Sequence, residues 1–117
     1  MASLNQVMLI GNLGGDAEIK DVNGTSVANF SIATSERFTD KSGEKQEKTE
    51  WHNCNMWGKP VEAIGQYLLK GTKLCVLGSL QTRKWEKDGE TRKSTEIKVY
   101  KVVLLGEKKQ RDDDVPF

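Results

Sequence analysis

Trp51 and Trp57 lie an even number of positions apart in Thr49–Trp57, so in an extended chain they point the same way as Thr49, Asn53 and Asn55. The opposite face collects Glu50, His52, Cys54 and Met56. A second stretch repeats the pattern, with Gln81, Arg83 and Trp85 together against Leu80 and Thr82, and Phe38 sits between Arg37 and Lys41. An isolated strand Trp is ordinarily core. All three Trp of this chain, however, have polar or basic same-face neighbours. Such rings suit single-stranded nucleic acid: exposed bases stack on Phe38, Trp51, Trp57 and Trp85 while Lys and Arg follow the phosphates. Stacking contributes about 1–3 kcal/mol per base against about 0–1 for an exposed ion pair, so the rings should dominate the affinity that survives salt. A duplex hides its base faces, which gives a preference for unpaired strands without base-specific hydrogen bonds. Proximity to rings raises Lys59, Lys70, Arg83 and Lys84 above ordinary solvated charges as phosphate contacts. Lys20 and Lys41 have less to recommend them, and Lys41 enters the set only as a neighbour of Phe38.

Other chemistries find no residues. Gly11-Asn12-Leu13-Gly14-Gly15 follows an apolar run, but no Gly-Lys-Ser/Thr follows to hold phosphate and magnesium, so these read as turn glycines. His52 and Cys54 lack two further ligands for a metal. The one His has no evident acidic partner, so no catalytic residue, metal or cofactor is expected and the chain does not read as an enzyme.

Length and charge set the frame. A chain of 117 residues implies one domain with a single sizeable core. The net charge of +1 conceals an asymmetry, because the last six residues hold three of the 17 acids and none of the 18 bases, leaving residues 1–111 at +4. That body can bind a polyanion in a salt-dependent way but is far from histone-like. Two distant cysteines, Cys54 and Cys75, argue against a disulfide framework and for a reducing cytoplasm. No stretch reaches membrane-spanning length, and Met-Ala-Ser-Leu-Asn lacks the charged and apolar regions of a signal peptide, so a cytoplasmic, nucleoid-associated protein without membrane contact is expected.

The elements that must position the rings follow from period and punctuation. Leu4–Leu13 reads as a strand, Asn23-Gly24 as a turn, and Val27–Thr34 as a second strand with Ala28, Phe30 and Ile32 on one face. Arg37–Lys48, charged and interrupted by Ser42-Gly43, reads as a long exposed loop before the strand Thr49–Trp57. Pro60 opens a helix carrying Val61, Ile64 and Leu68, with Gly71 as its C-cap. Leu74–Trp85 and Thr91–Leu105 then pair through Asp88-Gly89. All-β with one short helix, placed between strands 3 and 4 of five, is the layout of an OB-fold, a small Greek-key barrel.

Asp112-Asp113-Asp114-Val115-Pro116-Phe117 ends the sequence. Three carboxylates with an apolar end read as a docking peptide, the acids meeting a basic rim and Phe117 filling a pocket. Residues 1–106 are therefore expected to bind and oligomerise, 107–111 to link, and 112–117 to dock partners, with a reach of about 20 Å.

On these motifs the chain resembles the bacterial single-stranded-DNA-binding protein family over essentially its whole length. The resemblance rests on Val7-Met8-Leu9-Ile10-Gly11-Asn12-Leu13-Gly14, Thr49-Glu50-Trp51-His52, Trp57-Gly58-Lys59, Tyr67-Leu68-Leu69-Lys70-Gly71, Thr82-Arg83-Lys84-Trp85 and the acidic terminus. It implies a homotetramer that wraps single-stranded DNA, His52 at a subunit interface, and a tip that recruits replication, recombination and repair proteins. Phe38 stands where Trp is common and Trp57 where Phe is, each keeping a ring. Asn53 and Gln81 stand where some relatives carry Arg, which thins the charged track. Val115 replaces a more usual Ile, and the five-residue linker is far shorter than in many relatives, so the tip should compete with DNA for its own basic groove. The alternative is an OB-fold adaptor of a replication or primosome complex whose rings meet protein. An OB-fold nuclease or RNA binder is a third reading, for which no residues are arranged.

Overall fold

Alternating apolar and polar residues turn most of the chain into strands, and the computed structural model describes residues 2–105. The linker 107–111 and the tip residues 112–117 lie outside the described residues. The elements are β1 (Val7–Leu13), β2 (Glu18–Val22), β3 (Thr25–Thr39), β4 (Lys45–Trp57), α1 (Lys59–Ile64), a 3₁₀ turn (Gly65–Tyr67), β5 (Lys73–Lys87) and β6 (Glu90–Leu104). Hydrogen bonding runs β1-β5-β6-β4-β3, and β3 returns to β1 through Asn12↔Ala33 and Leu13↔Ile32. Among the described residues the only parallel pairing joins β4 to β6, from Cys54↔Ile97 to Met56↔Val99, across the chain that passes through α1 and β5. This is the expected closed five-stranded OB barrel, with its helix between the third and fourth barrel strands. At the closure the backbones come very near: a Cβ on Gly11 would run into the Ala33 carbonyl oxygen and the Ile32 side chain.

Three details differ from the sequence expectation. First, β2 is an additional strand that pairs only with β3, through an Asn23-Gly24 turn with φ of 51° and 85°. All five of its residues are exposed, so the apolar periodicity that marks the other strands is missing. Second, Arg37–Lys48 is not a long loop. β3 and β4 continue as an outlying hairpin from Ser35↔Thr49 to Thr39↔Lys45, leaving a turn over residues 40–44. Its charges hid a strand because they face opposite charges across the ladder, Glu36 beside Lys48 and Arg37 beside Glu47. Third, α1 ends at Ile64 and tightens into the 3₁₀ turn, so Gly71 is not its C-cap. Gly71, at φ 88°, instead turns the chain so that its N–H donates to the Leu13 carbonyl at 2.9 Å.

The core fills the barrel. Ile32, Met56, Leu68, Leu74, Val61 and Val76 are fully buried, and burial of each such side chain contributes about 1.5–3 kcal/mol. Val61 and Leu68 come from α1 and the segment after it and join the same buried cluster as Leu13 and Ala28. Among the described residues no polar or charged side chain is buried. Chemistry is therefore confined to the outside and to two long hairpins, β3–β4 and β5–β6, the latter turning at Asp88-Gly89 with φ of 53° and 79°.

Candidate nucleic-acid interface

Because Cys54 and Met56 pack inward, their neighbours Trp51, Asn53, Asn55 and Trp57 must point outward. Trp51 keeps 59% of its surface exposed, Trp57 46%, Trp85 39% and Phe38 46%. None of the four rings belongs to the core.

Trp51 lies against the Gly14 backbone, so closely that a Cβ there would strike the six-membered ring. Gly14 is held in turn by its N–H donating to the Ser31 carbonyl at 3.0 Å. Trp51 and Arg83 line one groove of about 620 Å³, floored by Asn53, Asn55 and Glu96 and edged by Asp16.

A second set of contacts ties Trp57 to Trp85. The Trp57 indole N–H donates to Asn55 Oδ1 at 3.1 Å, and Asn55 Nδ2 donates to Glu96 Oε1 at 3.0 Å. Glu96 Oε2 accepts from Arg83 Nε at 3.2 Å and pairs with its Nη2 at 3.0 Å. The Arg83 guanidinium then lies over the Trp85 ring, 5.3 Å from its centroid. Arg83 is thus already neutralised by a carboxylate. Lys84 alternates to the opposite face of β5 and stands across from Lys93.

Phe38 is apart from these rings. It lines its own depression of about 480 Å³ on the outlying hairpin, with Arg37, Lys45 and Gln46 around it. The turn beneath is organised by Asp40, whose Oδ1 accepts from Ser42 Oγ at 2.7 Å, from Glu44 N at 2.9 Å and from Ser42 N at 3.0 Å. Gln46 Nε2 donates to Asp40 Oδ2 at 3.0 Å. Led by the Ser42 hydroxyl, these donors lower the Asp40 pKa from 3.8 to about 2. Lys41 is exposed within that turn, Lys59 at the start of α1, and Lys70 where its N–H donates to Asp16 Oδ1 at 2.8 Å.

His52 is half-buried and hydrogen-bonded to Thr34 Oγ1 at 2.9 Å. Cys54 is buried, and desolvation pushes its thiol up to about 12, which leaves it a small apolar group. Among the described residues no group of three or more His, Cys, Asp or Glu is placed to hold a metal ion. Nor is any described helix long and apolar enough to cross a membrane.

Sequence reasoning placed Asn55 on the ring face without giving it a role, and missed Gly14 and Glu96 as members of this surface. Strand alternation alone puts Asn55 beside Trp57. Glu96 becomes visible only through the β4–β6 pairing, which local pattern does not reveal.

With outward rings on a closed OB barrel in place, the match to a family model is informative: the Single-strand binding protein family covers residues 4–105. The chain belongs to this family. Single-stranded DNA-binding protein 1 of Chlorobaculum tepidum is 48% identical over 108 residues, spanning 90% of this chain and 67% of that protein. The single-stranded DNA-binding protein of Neisseria meningitidis serogroup B is 43% identical over 117 residues, 98% of this chain and 67% of the relative. A Plasmodium falciparum SSB solved in complex with ssDNA superposes with a TM-score of 0.83 at 38% identity, over 91% of this chain and 98% of the other. A deletion mutant of the Thermus aquaticus single-stranded DNA binding protein gives 0.78 at 33% identity, over 88% and 51%. Each of these relatives is named for binding single-stranded DNA.

Proposed function

We propose that the protein binds and protects single-stranded DNA in a sequence-tolerant way during replication, recombination and repair. Bases stack on Phe38, Trp51, Trp57 and Trp85, while Lys41, Lys59, Lys70 and Lys84 carry positive charge to the phosphates. Arg83 is paired with Glu96 and so adds less to that track, and Lys84 reaches it from the face of β5 opposite Trp85. The observation that carries the reading is the outward placement of all four rings on a barrel whose described interior is apolar. Ring faces in solvent suit a polymer whose bases arrive one after another. The kinship to named single-stranded DNA-binding proteins, one solved with ssDNA, supports the same reading.

The protein works as a homotetramer in the cytoplasm, at the nucleoid, and its 112–117 tip recruits partner proteins. Assembly is supported by an apolar outer strip: Met8 and Ile10 are exposed on β1, opposite Leu77 and Cys75 of β5, with Val103 of β6 beyond. His52 is read as part of a subunit contact.

Titration with oligo(dT) and with a duplex of equal length tests the core of this reading. Tryptophan fluorescence should fall strongly with the single strand and little with the duplex. Equal quenching by both, or none, would replace it with the protein-adaptor reading.

A further inference from the structure

We infer that Glu96 is a positioning residue: one carboxylate on β6 sets the orientation of Trp57 and Trp85, on the strands to either side, and keeps Arg83 off the phosphate track. The role of the rings rests on the single-strand-binding reading, whereas the linkage itself is geometric.

The linkage has one possible sense. An indole N–H can only donate, so Trp57 fixes the oxygen of the Asn55 amide toward itself and turns the amide NH₂ toward β6. An ionised carboxylate can only accept, so Glu96 takes that NH₂ at Oε1. Its second oxygen takes both Arg83 donors, and the guanidinium is thereby laid over Trp85. Reversing the Asn55 amide would set donor against donor at one end and acceptor against acceptor at the other. The Glu96 side chain is 18% exposed and that of Arg83 66%, so the carboxylate end of these charge-assisted bonds is shielded while the guanidinium meets solvent. The other described ion pairs differ in exposure: Lys20–Glu18 and Arg92–Glu90 join exposed partners two positions apart, and Arg92 stands across the ladder from Trp85.

A consequence for DNA follows. Arg83 stands in the groove yet is spent on Glu96, so it steers a ring instead of neutralising a phosphate. Removing the carboxylate should loosen both indoles and release a cation together.

The test uses the full chain with ¹⁵N-labelled tryptophan and the variants Glu96→Gln, Glu96→Ala and Glu62→Gln, the last removing an exposed carboxylate from α1. Without DNA, the indole N–H signals of Trp57 and Trp85 should move in both Glu96 variants and stay in Glu62→Gln, while that of Trp51 holds. With oligo(dT), the plot of log K against log salt should steepen by about 0.7 in the Glu96 variants as Arg83 gains a phosphate. Their affinity at high salt should fall several-fold, and Glu62→Gln should leave both readouts alone. Glu96→Gln keeps the side-chain shape and decides the matter if Glu96→Ala unfolds. Unmoved Trp57 and Trp85 signals overturn the inference, as does a slope change equal to that of Glu62→Gln. If wild-type protein ignores oligo(dT), the single-strand reading falls instead, and the indole signals still judge the linkage.

Discussion

Gly14 and Trp51 share one space: a Cβ on the glycine would meet Trp51 Cη2 at 3.1 Å and Cε3 at 3.4 Å, with Cζ3 nearer still. The six-membered end of the indole abuts bare backbone, and more than half of the Trp51 surface stays exposed. Gly14→Ala should tilt the ring away, since Gly14 is not at a positive φ and the added methyl meets a side chain instead of straining its own backbone. Affinity for oligo(dT) should drop by about 1 kcal/mol, a fraction of one stack, with little change in melting temperature. Binding isotherms and a thermal melt read both, and unchanged affinity would detach Trp51 from the stacking surface.

Stacking should outweigh charge. Trp51→Ala should lose about 1–3 kcal/mol of oligo(dT) affinity at moderate salt, and Lys59→Ala no more than about 1. Equal losses contradict the weight placed on the rings.

The hairpin turn carries a pH signature. The folded pKa of Asp40 is depressed from 3.8 to about 2, so its contribution is complete above 3.8 and disappears as pH falls through about 2. Amide signals of Ser42 and Glu44 should titrate near pH 2 and be flat above pH 4. In Asp40→Asn they should resemble the acid form already at neutral pH. A midpoint at the ordinary carboxylate value would show that the turn is not organised by Asp40.

The two thiols should separate in a labelling experiment. Cys54 is buried with its pKa raised from 9.0 to about 12, so it stays protonated and shielded at pH 8, while Cys75 lies on the outer side of β5. A maleimide should reach Cys54 only after denaturation. In linkage terms the Cys54 contribution to stability is intact below pH 9 and declines as pH rises toward 12. Early modification of Cys54 in native protein would contradict the burial.

Deleting residues 112–117 should leave oligo(dT) affinity equal or slightly higher, because an acidic competitor is gone, and should abolish capture of replication and repair partners. Undiminished capture removes the docking role of the tip.

The barrel was legible because its inward faces are apolar at strict alternation: Ala28, Phe30 and Ile32 on one strand, Cys54 and Met56 on the next. Asn23-Gly24 and Asp88-Gly89 announced their turns because such pairs tolerate positive φ. The outward placement of the three indoles followed from the same alternation. What escaped was held by partners distant in sequence. β2 buries nothing and lives on its hairpin with β3. The charged arm is a strand in which Glu36 meets Lys48 and Arg37 meets Glu47 across the ladder, a pairing invisible until the register is known. Glu96 looked like one acid among many, and only cross-strand geometry puts it between two rings.

Asn55 and Glu96 are 41 positions apart and meet only because β6 splices onto β4 over the short run from Cys54 to Met56. A chain still lacking β6 therefore owns its indoles but no common frame for them. Competence for the polymer should arrive in a single event, when the barrel shuts.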